Sequence, residues 1–245
     1  MGKKLVLSIS GGMDSVVLLH MAVDKGFEEI HLISFDYGQR HKRELKCIDK
    51  QVQSISKDVI VTQYVANVGF IKQLAPTSSL TNEDINNPNI SEIAGDAQPV
   101  SYVPFRNQLF NSIACAYAEA KGADTVWYGA AQVDSLAGYW DGSQEFVDSI
   151  NSLISLNREH RIKIEAPLLV MSKADIVNEG VRLGVDFGNT WTCYSNRPDG
   201  LADATTPSSS MRISGFIEAG YQDPIQYVQQ DKINELYLSK GCKKI

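Results

Sequence analysis

Six residues, Ser10-Gly11-Gly12-Met13-Asp14-Ser15, stand between an apolar, β-favouring run at 5–9 and a helical run that begins at Val16 and continues to about residue 25. A Gly-rich turn from strand into helix leaves backbone N–H groups unpaired and aims them at one point. The helix dipole adds partial positive charge there, so the turn is built to hold a phosphate. Gly11 and Gly12 let the backbone approach an anion closely, while the Ser10 and Ser15 hydroxyls add donors. No Lys follows the glycines, so this is not the loop of P-loop kinases and GTPases. The GxGxxG spacing of dinucleotide-binding folds is also missing. An acid inside a phosphate cradle, Asp14, is explained if it faces Mg²⁺ or orients a serine.

The same alternation continues along the chain. Strand-like runs at 29–35, 59–65, 125–129 and 162–166 are interleaved with helical runs at 42–56, 107–121, 146–156 and 172–180. Strands alternating with helices imply βαβ units and a parallel sheet covered on both faces, a doubly wound α/β fold. Ser172 is the expected N-cap of the last of these helices, with Asp175 in its first turn. Two stretches break the pattern. Residues 72–100 dissolve into Asn, Pro, Ser, Thr and Asp, too long for a routine connection, and read as a mobile lid or a substrate-facing loop. After Gly184 the chain turns irregular, and 202–210 is nearly devoid of apolar residues. The expected division is a catalytic domain over 1–190 and a small irregular C-terminal region over 191–245.

Composition sets aside several classes of function. With 43% hydrophobic and 21% charged residues among 245, a disordered or fibrous chain is excluded. No apolar run approaches the roughly 20 residues that span a membrane. Met1-Gly2-Lys3-Lys4 leads straight into a strand-like run with no signal-peptide pattern, so a cytoplasmic location is expected. The net charge is −6 and the Lys and Arg residues are dispersed, which argues against direct binding of nucleic acid. None of the four cysteines forms a CxxC pair, and Cys47, Cys115 and Cys242 read as structural thiols.

The hexapeptide SGGxDS after the first strand resembles the loop of the PP-loop ATP pyrophosphatase superfamily, with its adenine nucleotide alpha hydrolase-like fold. Further stretches narrow the resemblance: Asp36-Tyr37-Gly38-Gln39-Arg40-His41, Tyr102-Val103-Pro104-Phe105-Arg106-Asn107, Glu165-Ala166-Pro167-Leu168 and Ser172-Lys173. Leu183-Gly184-Val185, Thr190-Trp191-Thr192-Cys193-Tyr194 and Gly220-Tyr221-Gln222-Asp223-Pro224 extend it over nearly the whole chain. Together they resemble the 7-cyano-7-deazaguanine synthase family of the queuosine pathway. The resemblance implies adenylation of 7-carboxy-7-deazaguanine by ATP with Mg²⁺, displacement of AMP by ammonia to give an amide, and a second activation that yields the nitrile. It also implies a homodimer.

Roles follow from residue chemistry within that frame. Ser8, Ser10, Gly11, Gly12, Met13, Asp14 and Ser15 are the candidate nucleotide-binding residues, with Asp14, Ser15, Arg106 and Lys173 as candidate catalytic ones. Arg40, Arg106 and Lys173 could neutralise phosphate or carboxylate charge, or make surface ion pairs. Tyr37, Tyr102, Phe105 and Trp191 either stack on a purine-like ring or belong to the core. Gln39 and Asp134 are candidates to read the polar edge of the base, Asn107 is a further substrate candidate, and His41 is either a base or a structural histidine at a helix start.

The chain departs from the family pattern in two places. The resemblance calls for a structural zinc held by a Cys before Tyr and by three more at Cys-x2-Cys-x2-Cys spacing ahead of an Arg. Cys193-Tyr194 matches the first, but the others fall on Asp203, Thr206 and Ser209. Hydroxyls are poor zinc ligands, so zinc is expected to be absent, as in a divergent paralogue. Gly138-Tyr139-Trp140-Asp141-Gly142-Ser143 also differs from the family's Gly-Tyr-Pro-Asp-Cys-Arg. Three readings remain open: the nitrile-forming synthase, a ligase that passes the deazaguanine acid to a protein amine in an antiviral system, and a nucleotide-binding module without turnover.

Overall fold

The computed structural model describes residues 2–38, 43–55, 57–82, 84–85, 100–132, 139–193, 197 and 199–245, with side chains of 43–45 excepted. In chain order it builds β1 (Lys4–Ser8), α1 (Met13–Asp24), β2 (Glu29–Asp36), α2 (Arg43–Ser54), β3 (Ile60–Asn67), α3 (Ile71–Leu74) and α4 (Arg106–Lys121). There follow β4 (Thr125–Trp127), α5 (Gln144–Ile154), β5 (Lys163–Glu165), α6 (Lys173–Arg182), α7 (Pro207–Glu218) and α8 (Gln230–Ser239). Short 3-10 turns form at Trp140–Gly142 and Phe187–Asn189.

The strands form one parallel sheet in the order β3-β2-β1-β4-β5, with Leu5 opposite Ile30 on one side and Thr125 on the other. A strand paired on both edges and covered on both faces has no place for polar side chains, and Leu5, Val6 and Leu7 are fully buried. Alternation then sorts the sheet into two cores. Leu5, Leu7, Ile30 and Leu32 pack with Val16 and Leu19 of α1, Ile48 of α2 and Ile176 of α6. Val6, Ile33, Phe35, Val126 and Ile164 pack with Ala114 and Ala118 of α4 and with Phe146 and Ile150 of α5. The sheet is therefore doubly wound, as expected. Chain order reverses direction between β1 and β4, and that switch point is where such sheets open a crevice at the strands' carboxyl ends.

Two stretches differ from expectation. The start of the 72–100 run is neither lid nor open loop: Ile71, Ala75 and Leu80 join the second core, and buried Thr81 donates its hydroxyl to the Ala75 carbonyl at 2.6 Å. Residues 86–99 lie outside the described residues. The C-terminal region is not irregular either. It carries α7, α8 and an apolar cluster of its own, including Trp191, Cys193, Ile213, Tyr227 and Tyr237. The Ser208-Ser209-Ser210 run hides α7 from an apolar count, but Thr206 as N-cap and Pro207 at the first turn are start signals. Among the described residues no helix is long and apolar enough to cross a membrane. Burial pushes the Cys115 thiol up to about 11, in keeping with a structural cysteine.

Candidate active site

The turn between β1 and α1 is closed by its own hydroxyls. Ser15 Oγ accepts the Ser10 and Gly11 N–H groups at 3.2 Å each and donates to the Gly12 carbonyl at 3.1 Å. Ser10 Oγ accepts the Gly12 N–H at 3.1 Å. The first hydrogen bond within the helix runs from Val16 N–H to Gly12 O, so the N–H groups of 13–15 point out of the helix start. Gly11 has φ 89°, which any side chain would strain, and its carbonyl accepts the Trp191 N–H at 3.1 Å. A Cβ on Gly12 would lie 3.2 Å from Ser10 Oγ and 3.5 Å from the Trp191 carbonyl.

Asp14, in the first turn of α1, divides its carboxylate. One oxygen, Oδ2, takes Lys173 Nζ at 2.5 Å, while Oδ1 is buried without a hydrogen-bond partner among the described residues. Lys173 is the first residue of α6, whose start is set by a reciprocal capping pair. Ser172 Oγ accepts the Asp175 N–H, and Asp175 Oδ2 accepts the Ser172 N–H. From behind, α7 presses on this position: a Cβ on Gly215 would come within 2.7 Å of Lys173 Cβ. One turn earlier on α7, fully buried Arg212 forms a two-pronged pair with Asp223 at 2.6 and 2.9 Å and donates to Thr190 and Thr192. Thr192 Oγ1 in turn accepts the Met13 N–H at 3.5 Å, so the buried pair reaches the phosphate loop through one hydroxyl.

The loop opens into a cavity of about 310 Å³ at the carboxyl ends of β1, β2 and β4. Its walls include Ser8, Ser10, Gly12, Met13, Asp14 and Ser15 from the loop, Phe35 and Tyr37 from β2's end, and Tyr128, Gly129 and Ala130 from β4's end. Arg106, Asn107, Phe110 and Asn111 of α4 close another side, and Gly142 and Thr192 complete it. Phe35 and Phe110 stack at 4.0 Å, and the Arg106 guanidinium lies 5.9 Å above the Tyr37 ring. Asp141 is buried beside Asn107, which hydrogen-bonds to it; burial raises its pKa and the Arg106 charge offsets part of that rise.

A family model described as queuosine biosynthesis protein QueC matches residues 4–220, a span that takes in the loop, every strand and α7. The chain belongs to the QueC family. A 7-cyano-7-deazaguanine synthase of Thermoplasma volcanium is 38% identical over 249 aligned positions, covering 100% of this chain and 98% of its own. One of Clostridium kluyveri is 39% identical over 234, covering 92% and 98%. Among solved structures, that of NMN synthetase from Francisella tularensis aligns over 97% of this chain and 84% of its own, at TM-score 0.49 and 14% identity, too distant to bear on function.

Of the residues expected to act in a QueC-family site, the structure gathers Ser8, Ser10, Gly12, Met13, Asp14, Ser15, Tyr37, Arg106 and Asn107 around one cavity, with Lys173 joined through Asp14. Tyr102 and Phe105 stand apart with Trp140: Trp140 Nε1 donates to Tyr102 Oη at 3.0 Å and its ring meets Phe105 at 5.5 Å. Phe105 has φ 54° and is 61% exposed. Trp191 packs in the C-terminal core and reaches the loop by its backbone. Gln39, Arg40, His41 and Asp134 lie outside the described residues.

Sequence reasoning passed over Asn111, Phe110, Tyr128, Thr192 and Asp141. Asn111 carried a faint signal, a polar residue one helical turn after Asn107, and Thr192 lies inside a stretch that marks the family. The positions at which the resemblance places zinc ligands do converge. Cys193 Sγ accepts the Asp203 N–H at 3.2 Å and lies 3.8 Å from Thr206 Oγ1, which donates to Ser209 Oγ at 2.9 Å. Tyr194 lies outside the described residues.

Proposed function

We propose that this chain is an ATP-dependent ligase that adenylates the carboxylate of 7-carboxy-7-deazaguanine and passes the acyl group to an amine. The observation that carries the reading is the divided carboxylate of Asp14 at the helix start. A buried carboxylate oxygen without a partner, beside outward N–H groups, suits a site that receives a metal-bound polyphosphate. Its hard oxygen fits Mg²⁺, which would neutralise phosphate charge there. Lys173 holds the other oxygen, which keeps the carboxylate aimed at the loop.

A carboxylate is a poor electrophile, and adenylation converts one of its oxygens into a leaving group. The substrate oxygen attacks the α-phosphorus, an O–P bond forms, the bond to the bridging oxygen of the β-phosphate breaks, and pyrophosphate leaves. An amine then attacks the acyl carbon and AMP departs with its oxygen as the amine loses a proton. With ammonia the product is the amide. A second ATP would activate the amide oxygen, and loss of AMP and the N–H protons yields the nitrile. The chain's share of this is positioning and charge stabilisation. The outward N–H groups of the loop hold phosphate oxygens, and Arg106, at the opposite wall, meets the carboxylate or the transferred phosphate. The 7-cyano-7-deazaguanine synthase names of both relatives and their near-complete coverage support the same substrate.

Asp14→Asn and Ser15→Ala should each lower pyrophosphate release, measured with ATP, Mg²⁺ and the deazaguanine acid, by on the order of 10² to 10³ with a cooperative unfolding transition retained. Near-parental turnover in both variants would remove the loop as the reacting phosphate site. The acceptor is read in the same assay. Millimolar ammonia should speed AMP formation and give amide or nitrile. AMP formation indifferent to ammonia, with a protein N-terminus gaining the mass of the acid less water, would turn the assignment to protein conjugation.

A further inference from the structure

Asn111 is 1% exposed and lines the cavity from α4, yet among the described residues neither its NH2 group nor its carbonyl oxygen has a hydrogen-bond partner. A side-chain amide offers two donors and two acceptor sites, and burying it unpaired destabilises the ligand-free fold. The walls beside it are flat and apolar: Phe35 and Phe110 lie parallel within 5°, and Tyr37 is 5.6 Å from Phe110. Packing alone would be served better by Leu at this position.

A bound anion would engage only the NH2 and leave the carbonyl orphaned. Both ends are satisfied together when a ligand presents a donor beside an acceptor in the plane of the amide. That is the edge of a nitrogen heterocycle, and the flat aromatic wall suits its faces. We propose that Asn111 is a base-reading residue whose amide pairs with such an edge. The inference rests on the activation reading above, in which two groups carry this chemistry: the adenine of ATP and the lactam of the deazaguanine acid. Asn111 pairs with one of them and so sets specificity for it, because an analogue lacking the edge would leave the buried amide unpaired.

Two substitutions separate pairing from packing. Asn111→Leu keeps the branched outline with slightly more bulk and removes both hydrogen-bonding ends, and Asn111→Asp keeps the shape and removes the donor. Calorimetric titration of each protein with MgATP, and separately with 7-carboxy-7-deazaguanine, reads the effect. Both variants should bind one of the two ligands about tenfold or more weakly and the other as the parent does, and the ligand affected names the base that is read. The ligand-free Asn111→Leu protein should melt no lower than the parent. Unchanged affinity for both ligands overturns the assignment. Equal loss of both together with a lower melting temperature makes Asn111 a packing residue and also overturns it. A parent that binds neither ligand sinks the activation reading and this assignment with it, a result distinct from parental binding that ignores the substitution.

Discussion

Asp141 holds a carboxylate where water reaches it poorly, and burial is the largest influence on it, raising its pKa above the ordinary 3.8. A raised carboxyl favours the protonated form in the fold. The stability it lends is whole below the ordinary value and is lost as pH climbs through the raised one. Asp141→Asn keeps an acceptor for Asn107 and cannot ionise. The melting temperature of the variant minus that of the parent should therefore grow on going from acid towards neutral pH. A gap that stays flat or shrinks would mean that burial does not penalise this charge. At this scale legibility depended on contiguity. Ser15 could be read because its partners Ser10, Gly11 and Gly12 are within six residues, and Asp14 because it stands in the same hexapeptide. Asn111 could not, because its meaning comes from Phe35, 76 positions away in the chain and four ångströms from its neighbour Phe110.

Helix α7 controls the site without touching the cavity. Gly215 lets it approach Lys173, and Gly215→Ala would push that lysine away from Asp14. A misplacement of about 1 Å near reacting groups can cost on the order of 10² in rate, so pyrophosphate release should fall by up to that factor, with ATP binding by calorimetry less affected. Parental turnover in Gly215→Ala would show that Lys173 does not need its seat. The N-terminal end of the same helix bears on the metal question. Thr206 caps it, accepting the Ser209 N–H, and its hydroxyl also bonds Ser209 Oγ. Hydrogen bonds among Cys193, Asp203, Thr206 and Ser209 join residues that a thiolate-bound metal would join in the family pattern. Elemental analysis of the purified protein should find well below one zinc per chain, and a stoichiometric zinc would contradict that. The helix itself was hard to anticipate because three consecutive serines carry no apolar period, whereas α6 announces itself by the Ser172 and Asp175 capping pair and α1 by its continuous apolar run after the glycines.

Over the whole molecule, the alternation of strands and helices was plain because a sheet buried on both faces demands near-continuous apolar strands. The order of those strands and the crevice at their switch point come from packing between segments far apart, which no local pattern encodes. The buried pair of Arg212 and Asp223 has one more consequence, for where the folding unit stops. The match to the family model stops at residue 220, but Asp223, the Tyr227 hydroxyl that donates to it at 2.6 Å, and α8 all come later. A chain cut at 220 would keep every residue at the cavity but strip the Arg212 guanidinium of its counter-charge and of the Tyr227 and Tyr237 rings beside it. An uncompensated buried charge of that kind costs about 3 to 5 kcal/mol, a large share of what holds a domain together. Such a truncated chain should aggregate or melt without a cooperative transition, and Arg212→Met in the same shortened chain should recover part of the loss. The end of the family model's match is then short of the boundary set by electrostatics, and the last 25 residues are ballast for the phosphate loop at the other end of the sequence.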